Sequence, residues 1–395
     1  MQFPQARTKY EILYFKYCND LKEKNLLREL TYKKKSCRIY IDFSSSDYLG
    51  LSRHPSVIKK SKEYIEEYGT SSGGSRLLSG NLSIFEDLEQ KIAATKKVEA
   101  AIVFNSAYEA NTSIIPALLS QITKPLVFTD RLVHASIHVG LTTASINQIR
   151  YRHLDMNHLE NLLKKNKSTN EKFIFSETIF GMDGDVLDLS SIKFLSKKYN
   201  AFLYLDESHS VGMYEDDGYG ISLDEGMTIG AFSKTLGSCG GFASCSKLLK
   251  TYLINKCKGF IYSTALPPAI IGANLATWKL LPTLTEERKK IKQLSCLLRK
   301  KLHDSGFDIG NSSTHIIPII IGSEKDTLLL ENYLKQNGIL VSAIRPPSVP
   351  PNTSRLRITV SVHHSIADIE KLVELLKIYQ RNHPSRTCLK TIHNR

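Results

Sequence analysis

Short apolar runs recur through the middle of the chain: Ala101–Phe104, Leu126–Asp130, Phe173–Glu177, Phe202–Asp206, Met227–Phe232 and Gly241–Cys245. Their length and their β-branched or aromatic content predict strands. Helical spacing of apolar positions appears between several of them, near 109–119, 189–199 and 247–257. Strands that alternate with helices in this way predict an α/β fold with a large, mostly parallel sheet covered by helices. Upstream, Leu13, Tyr17 and Leu21 trace a loose helical stripe among lysines, which predicts a peripheral amphipathic helix. A strand is expected over Arg38–Phe43. The Gly- and Ser-rich stretch GTSSGGSRLLSGN (69–81) reads as a loop. Ser83 and Glu86 have the spacing of a capping box, ahead of a helix whose apolar face is Phe85, Leu88 and Ile92.

Beyond Pro268 a long helix is expected to bridge to the last third. There His315–Ile321, Ile339–Ile344 and Arg355–Val360 read as strands. Helices over 325–336 and 365–380 accompany them, the second with Ile366, Ile369, Leu372 and Leu376 on one face. The expected organisation is an N-terminal helical segment and strand (1–45), a large α/β domain (46–284) and a small α+β domain (285–395).

Composition adds two constraints. The formal net charge is +14, but the basic residues come in pairs and triplets scattered over the whole chain, such as Lys33–Lys35, Lys164–Lys165 and Arg299–Lys301. No basic stripe is interleaved with aromatics, so a nucleic-acid partner is not expected. A basic surface would instead attract a phosphorylated or acidic partner such as coenzyme A or an acyl carrier protein. The seven cysteines include no C-x-x-C pair, which fits a reduced, cytoplasmic protein. Neither a secretory signal nor a membrane span is expected: the longest uncharged run, Gly259–Trp278, is broken by Pro267–Pro268. No metal site is expected either.

Candidate chemistry collects at the ends of the predicted strands. Asp206 closes one, with His209 three residues on, and Lys234 lies just past the next, ahead of glycines 237, 240 and 241. In open α/β sheets ligands bind outside the carboxyl ends of the strands, so an acid and a lysine placed there can share a pocket. Pyridoxal phosphate needs such a pair, a lysine to bind it covalently and an acid to keep its ring nitrogen protonated. Taken alone, Asp206 could equally cap a turn and Lys234 lie on the surface. Other segments fit the same idea. FNSAYEAN (104–111) passes from strand to helix and suits a phosphate. His134 in RLVHASIH (131–138) could stack on a pyridine ring or be structural. SETIFGMDGD (176–185) puts Glu177 at a strand end, and IYSTALPP (261–268) offers the hydroxyls of Ser263 and Thr264.

With these segments in order, the sequence resembles the α-oxoamine synthases, pyridoxal-phosphate acyltransferases of fold type I, shaped like aspartate aminotransferase. The resemblance covers about residues 40–378 and rests on SDYLGLS, GGSRLLSGN, FNSAYEAN, HAS, MDGD, DESHSVG, SKTLGSCGG, YSTALPP and SRLRIT. AIRPPSVPP (343–351) most resembles the branch that condenses L-alanine with a pimeloyl thioester, on CoA or acyl carrier protein, in biotin synthesis. The alternatives are a sibling that uses glycine and another acyl-CoA, or an idle paralogue that only binds.

The resemblance implies roles. Lys234 is similar to the lysine that holds the cofactor and moves the α-proton. Asp206 would pair with the ring nitrogen, His209 would reach the phenolic oxygen, and His134 would stack on the ring. Ala107, Tyr108 and Ser233 would contact the cofactor from the same chain, the first two through backbone N–H groups to the phosphate. Ser263 and Thr264 would reach the phosphate bound by the second subunit of a homodimer with shared sites. Ser46 and Arg357 would face the substrate carboxylate. Three positions depart from the family pattern: Ser46 replaces Asn, Gly181 replaces Ser and Ala231 replaces Thr. Restoring the hydroxyl at 231 is expected to tighten cofactor binding. Restoring it at 181 is expected to give a smaller gain, provided the backbone there tolerates serine.

Overall fold

The computed structural model describes residues 8–30, 40–166 and 170–383. Arg38 and Ile39 of the first expected strand, and the Lys33–Lys35 cluster, lie outside the described residues. The chain divides into two compact units: residues 46–292 with 361–363, and residues 1–45, 293–360 and 364–395.

The chain opens in the second of these units. Helix α1 (Lys9–Glu23) starts at a reciprocal cap in which Thr8 and Glu11 exchange side-chain and backbone hydrogen bonds. None of its residues is buried, so among the described residues the stripe through Leu13 and Tyr17 meets no core. A short strand, β1 (Ile41–Asp42), follows.

The larger unit is a three-layer α/β/α body. In chain order it contains α2 (Pro55–Tyr68), α3 (Ser83–Lys96), β2 (Ala100–Phe104), α4 (Ala107–Leu119), β3 (Leu126–Asp130), α5 (Ala135–Thr143) and β4 (Gln148–Tyr151). Then come α6 (Met156–Lys165), β5 (Lys172–Glu177), α7 (Leu189–Lys198), β6 (Ala201–Asp206), β7 (Met227–Ala231), β8 (Gly241–Cys245), α8 (Lys247–Lys256), α9 (Lys258–Tyr262) and α10 (Pro268–Leu280). The strands lie in the order β2-β8-β7-β6-β5-β3-β4. All pairings are parallel except those of β8, which runs antiparallel to both its neighbours.

Two-sided burial explains why the strands read as continuous apolar runs. Ile102, Phe104, Phe173, Phe175, Tyr204 and Ile229 pack with α4 and α5 on one face. Ala101 and Val103 turn the other way, toward α3 and α10, as Ile174, Leu203 and Leu205 turn toward α6 and α7. Successive residues thus feed opposite layers, as the two-residue period of a strand requires. The face Phe85, Leu88 and Ile92 is buried as expected, but the capping box is not formed: Leu82 is the N-cap and Ser83 is already helical.

Helix α11 (Thr285–Asp304) carries the chain from one unit into the next. The expected bridging helix is interrupted before it, because Pro282 imposes a 3-10 turn over Leu281–Thr283. The smaller unit adds β9 (Ile316–Gly322), α12 (Glu324–Gln336), β10 (Ile339–Leu340), β11 (Ser342–Ile344), β12 (Ser354–Thr359) and α13 (Ile366–Asn382). The expected single strand Ile339–Ile344 is two: β10 pairs in parallel with β1, while β11 pairs antiparallel with β12, which also pairs with β9. Along α13, Ile369, Leu372 and Leu376 are buried, whereas Ile366 in the first turn is 58% exposed.

Candidate active site

Parallel strands bring their carboxyl ends to one edge of the sheet, and that edge collects the predicted groups of the larger unit. Asp206 closes β6 in register with Glu177 at the end of β5. Asp206 is only 5% exposed, and each of its carboxylate oxygens accepts a hydrogen bond. Oδ1 accepts from the backbone N of Ser208 at 2.9 Å, and Oδ2 accepts from Nδ2 of Asn111 at 2.7 Å. Asn111 sits on the buried face of α4; its Oδ1 accepts from the Tyr204 hydroxyl at 2.7 Å and its Nδ2 also donates to Ser136 Oγ at 2.9 Å. Ser136 Oγ in turn lies 2.7 Å from His134 Nδ1. One hydrogen-bond chain therefore runs Tyr204–Asn111–Asp206, with a branch through Ser136 to His134.

His134 caps the start of α5, and its backbone N–H donates to the buried Glu177 carboxylate. Burial holds its imidazole below the ordinary value; the Asp206 charge opposes this and the Lys234 charge adds to it. His134 is thus neutral at neutral pH. Burial also pushes the Glu177 carboxyl well above the usual carboxylate range, with the Asp206 charge acting the same way. Lys234 follows β7, in a turn closed by the hydrogen bond from Gly237 N to its carbonyl. Its charge acts on both His134 and Glu177. Asp206, His134 and Lys234, far apart in sequence, therefore share one field.

His209 joins them from the segment after β6, with Nδ1 2.8 Å from the hydroxyl of the fully buried Tyr48. Gly181 lies against its other edge: a Cβ there would fall 2.3 Å from His209 Nε2 and 2.8 Å from Cδ2. The Gly181 backbone is open to any residue, so the condition on serine at 181 is met, and a side chain there would require the His209 ring to shift.

Ser106 caps α4 by accepting from Glu109 N, which places Ala107 and Tyr108 in the first turn, where N–H groups have no intrahelical acceptor. Gly241 lets this turn come close, since a Cβ on it would lie 2.3 Å from Ala107 N. Ser233 is exposed beside Lys234. Thr264 is exposed as well, its backbone held by an isolated bridge to Ser75 and by Asn105 Nδ2 donating to its carbonyl, with Ser263 beside Glu109. Ser46 is half-buried at the start of the larger unit, its carbonyl accepting from Tyr48 N. Arg357 belongs to the smaller unit, buried on β12 with Nη1 donating to Thr359 Oγ1 at 2.9 Å.

Sequence reasoning did not single out Tyr48, Asn111, Ser136 or Tyr204. Asn111 had a signal, since it lies one helical turn beyond Ala107 on the same face. Ser136 had one too, two residues after His134. Among the described residues, no cluster of metal-ligating side chains exists and no helix is long and apolar enough to cross a membrane.

Residues 38–376 match the family described as aminotransferase class I and II. A relative from Paramagnetospirillum magneticum, named for 8-amino-7-oxononanoate synthase activity, is 46% identical over 342 residues, 85% of this chain and 87% of its own. The 8-amino-7-oxononanoate synthase of Gluconacetobacter diazotrophicus is 40% identical over 352 residues, 87% of this chain and 88% of its own. Among solved structures, a serine palmitoyltransferase from S. paucimobilis with bound PLP and myriocin superposes with a TM-score of 0.86 at 24% identity, covering 95% of this chain and 99% of that one, and so shares the fold. Matched over most of its length and spanning such relatives nearly end to end, the chain belongs to the class I and II aminotransferase family, among the α-oxoamine synthases and with relatives named 8-amino-7-oxononanoate synthase.

Proposed function

We propose that this chain is a pyridoxal-phosphate enzyme of biotin synthesis. The reaction joins L-alanine to a pimeloyl thioester, on CoA or acyl carrier protein, and releases the thiol, carbon dioxide and 8-amino-7-oxononanoate. The observation that carries this reading is Asp206 and Lys234 at the ends of the paired strands β6 and β7, both acting on His134. The residues present fit the cofactor. A buried carboxylate already oriented by Asn111 and Ser208 N faces the edge where the helix α4 begins. The buried hydroxyls of Ser208, Thr235 and Ser238, each within four residues of Asp206 or Lys234, make no hydrogen bond among the described residues.

Bound there, pyridoxal phosphate supplies an electron-withdrawing ring that stabilises negative charge on the α-carbon of the amino acid. Asp206 would hold the proton on the ring nitrogen, and its two existing donors keep the carboxylate aimed. His134, neutral by burial, would lie flat on the ring without adding a competing charge. Ala107, Tyr108 and Ser233 would bind the phosphate, favoured by the positive end of α4. Lys234 would anchor the cofactor at rest, then take the α-proton of alanine and return it after carbon dioxide leaves. The guanidinium fork of Arg357 is suited to a carboxylate, the group that the resemblance assigns to it.

A homodimer with shared sites belongs to the same reading. Leu77, Leu78 and Tyr262, at 48, 84 and 79% exposure, cluster in sequence around the bridged Ser75 and Thr264. A second copy laid over them would bury apolar surface and receive Ser263 and Thr264 at its phosphate. The test of the function is a panel of amino acids against acyl thioesters, read by thiol release. Alanine with pimeloyl thioester should give the fastest release. Preference for glycine with a short acyl-CoA would replace this reading by the sibling activity.

A further inference from the structure

The amide of Asn111 stands between Asp206 and His134, and the hydrogens of this network can be assigned one by one. A carboxylate only accepts, so the atom that faces Asp206 Oδ2 at 2.7 Å must be the amide nitrogen of Asn111. That leaves the amide oxygen to accept from the Tyr204 hydroxyl, also at 2.7 Å. The second hydrogen of the amide goes to Ser136 Oγ at 2.9 Å. With a serine lone pair so occupied, the hydroxyl hydrogen is left for His134 Nδ1, 2.7 Å away. The backbone N–H of Ser136 donates to the same nitrogen at 3.3 Å. Nδ1 therefore accepts twice, and a neutral imidazole so placed carries its one hydrogen on Nε2. Asn111, Ser136 and Tyr204 are all but fully buried. Gly140 lets α5 lie directly on α4 here, since a Cβ on it would stand 2.8 Å from the backbone oxygen of Asn111.

We propose that Asn111 is a positioning residue that makes the tautomer of His134 depend on the charge of Asp206. The charged carboxylate compels the amide to present its nitrogen. That nitrogen sends the Ser136 hydrogen to Nδ1, and Nδ1, once an acceptor, leaves the imidazole hydrogen on Nε2. If Asp206 loses its charge, the order reverses. Ser208 N still donates to Oδ1, so Oδ2 is the oxygen that takes a proton from solvent and becomes a donor. The amide must then turn its oxygen to that donor and its nitrogen to the Tyr204 hydroxyl, which can accept as well as donate. Ser136 now faces an oxygen, gives it the hydroxyl hydrogen and offers a lone pair to Nδ1, which favours the imidazole hydrogen on that side. On the functional reading above, on which the consequence rests, one amide sets both the partner of the ring nitrogen and the group on the ring face. A charged Asp206 then comes with an N–H at His134 Nε2.

The experiment reads the 15N shifts of the His134 ring in the full chain, labelled at histidine, free of cofactor and at neutral pH. The ring is assigned by the signal lost in His134→Gln. In the parent it should be protonated on Nε2 alone. Asp206→Asn holds the uncharged state permanently: its carbonyl stays on Ser208 N and its amide nitrogen faces Asn111. The Nδ1 and Nε2 shifts should then move toward each other as the Nδ1–H form appears. In an Asn111→Ala background the same change at 206 should leave the shifts where they are, because no amide remains to turn. Ser136→Ala cuts the chain one link later and should also abolish the response, which decides the matter where Asn111→Ala does not fold. A parent ring protonated on Nδ1 overturns the proposal, as does an unmoved tautomer in Asp206→Asn. An equal response to Asp206→Asn with and without the Asn111 or Ser136 side chain overturns it as well. A parent protein that binds no pyridoxal phosphate refutes the functional reading instead, and the ring shifts still decide the role of Asn111.

Discussion

Raising the pH should loosen the loops that carry the site, through His153. This histidine lies between two carboxylates: Nδ1 is 2.9 Å from Asp130 Oδ1 and Nε2 is 3.2 Å from Asp185 Oδ2. Burial alone would lower its pKa. The hydrogen bonds to Asp130 and Asp185, and the charges of Asp130 and Asp183, outweigh burial and hold it at about 9. Asp130 also accepts from Leu132 N and Leu154 N, so the protonated ring ties the segment leading to His134 to the turn that contains Gly181. A folded value near 9 against an ordinary value near 6.5 corresponds to roughly 3 kcal/mol, at about 1.36 kcal/mol per pH unit. Because the folded pKa is the higher, that stability is fully present below pH 6.5 and is lost progressively as pH rises through 9. The assay is urea unfolding of the parent and of His153→Asn between pH 6 and 10, together with a ring titration of His153 in histidine-labelled protein. The gap between parent and variant should shrink by about 3 kcal/mol over that range, and the ring should titrate near 9. A gap that is constant with pH, or a midpoint near 6.5, would refute the reasoning.

Lys234→Ala should fold normally and lose all turnover; more than trace activity would sink its role as anchor and proton carrier. Ala231→Thr, at the buried end of β7, should tighten pyridoxal phosphate by about tenfold if the new hydroxyl reaches the phosphate, which dilution-induced cofactor loss measures directly. No gain would mean that another group already fills the place. Mixing Lys234→Ala with a Thr264→Ala variant of low cofactor affinity should restore part of the activity, because shared sites give mixed dimers one site free of both defects. Demonstrated subunit exchange without recovery would count against sharing.

The strands were legible because both faces of the sheet are covered, so residues such as Phe173, Ile174 and Phe175 are all apolar and the run stands out. β4 was not, since Gln148, Ile149 and Arg150 on the edge strand are only partly buried or exposed and carry no apolar run. Helix α5 was hidden for a related reason: ASIHVGLTT has small and β-branched residues with weak helix preference, and packing against α4 at Gly140 holds it. The capping box at Ser83 failed because a spacing rule cannot see that the chain enters the helix one residue earlier. Within the site, charged and titratable side chains at strand ends could be picked from sequence, whereas the neutral groups that orient them could not. Nothing in the spelling of Asn111 or Tyr48 distinguishes a core amide or phenol from one aimed at a carboxylate or an imidazole.

The same logic explains why so much buried charge surrounds the site without belonging to it. Glu207 is the neighbour of Asp206 in sequence but points into the opposite layer, where it meets Lys96 at 2.6 Å with both side chains fully buried. Glu207 accepts also from Ile221 N and Thr228 Oγ1, and Lys96 donates also to the carbonyls of Tyr219 and Ile221. A buried pair of this kind adds little net stability, because desolvation offsets the attraction, yet removing one partner costs about 3–5 kcal/mol. Its effect is one of geometry. The backbone leaving β6 is pinned on one side at Glu207 and can therefore present Asp206 and His209 on the other without drifting. A hydrophobic pair at 96 and 207 would fill the same volume but would leave the loop at 219–221 free to slide against α3. Since a displacement of about 1 Å at reacting groups can cost a hundredfold in rate, a charge pair that fixes register without touching substrate is the economical way to hold an acid in place.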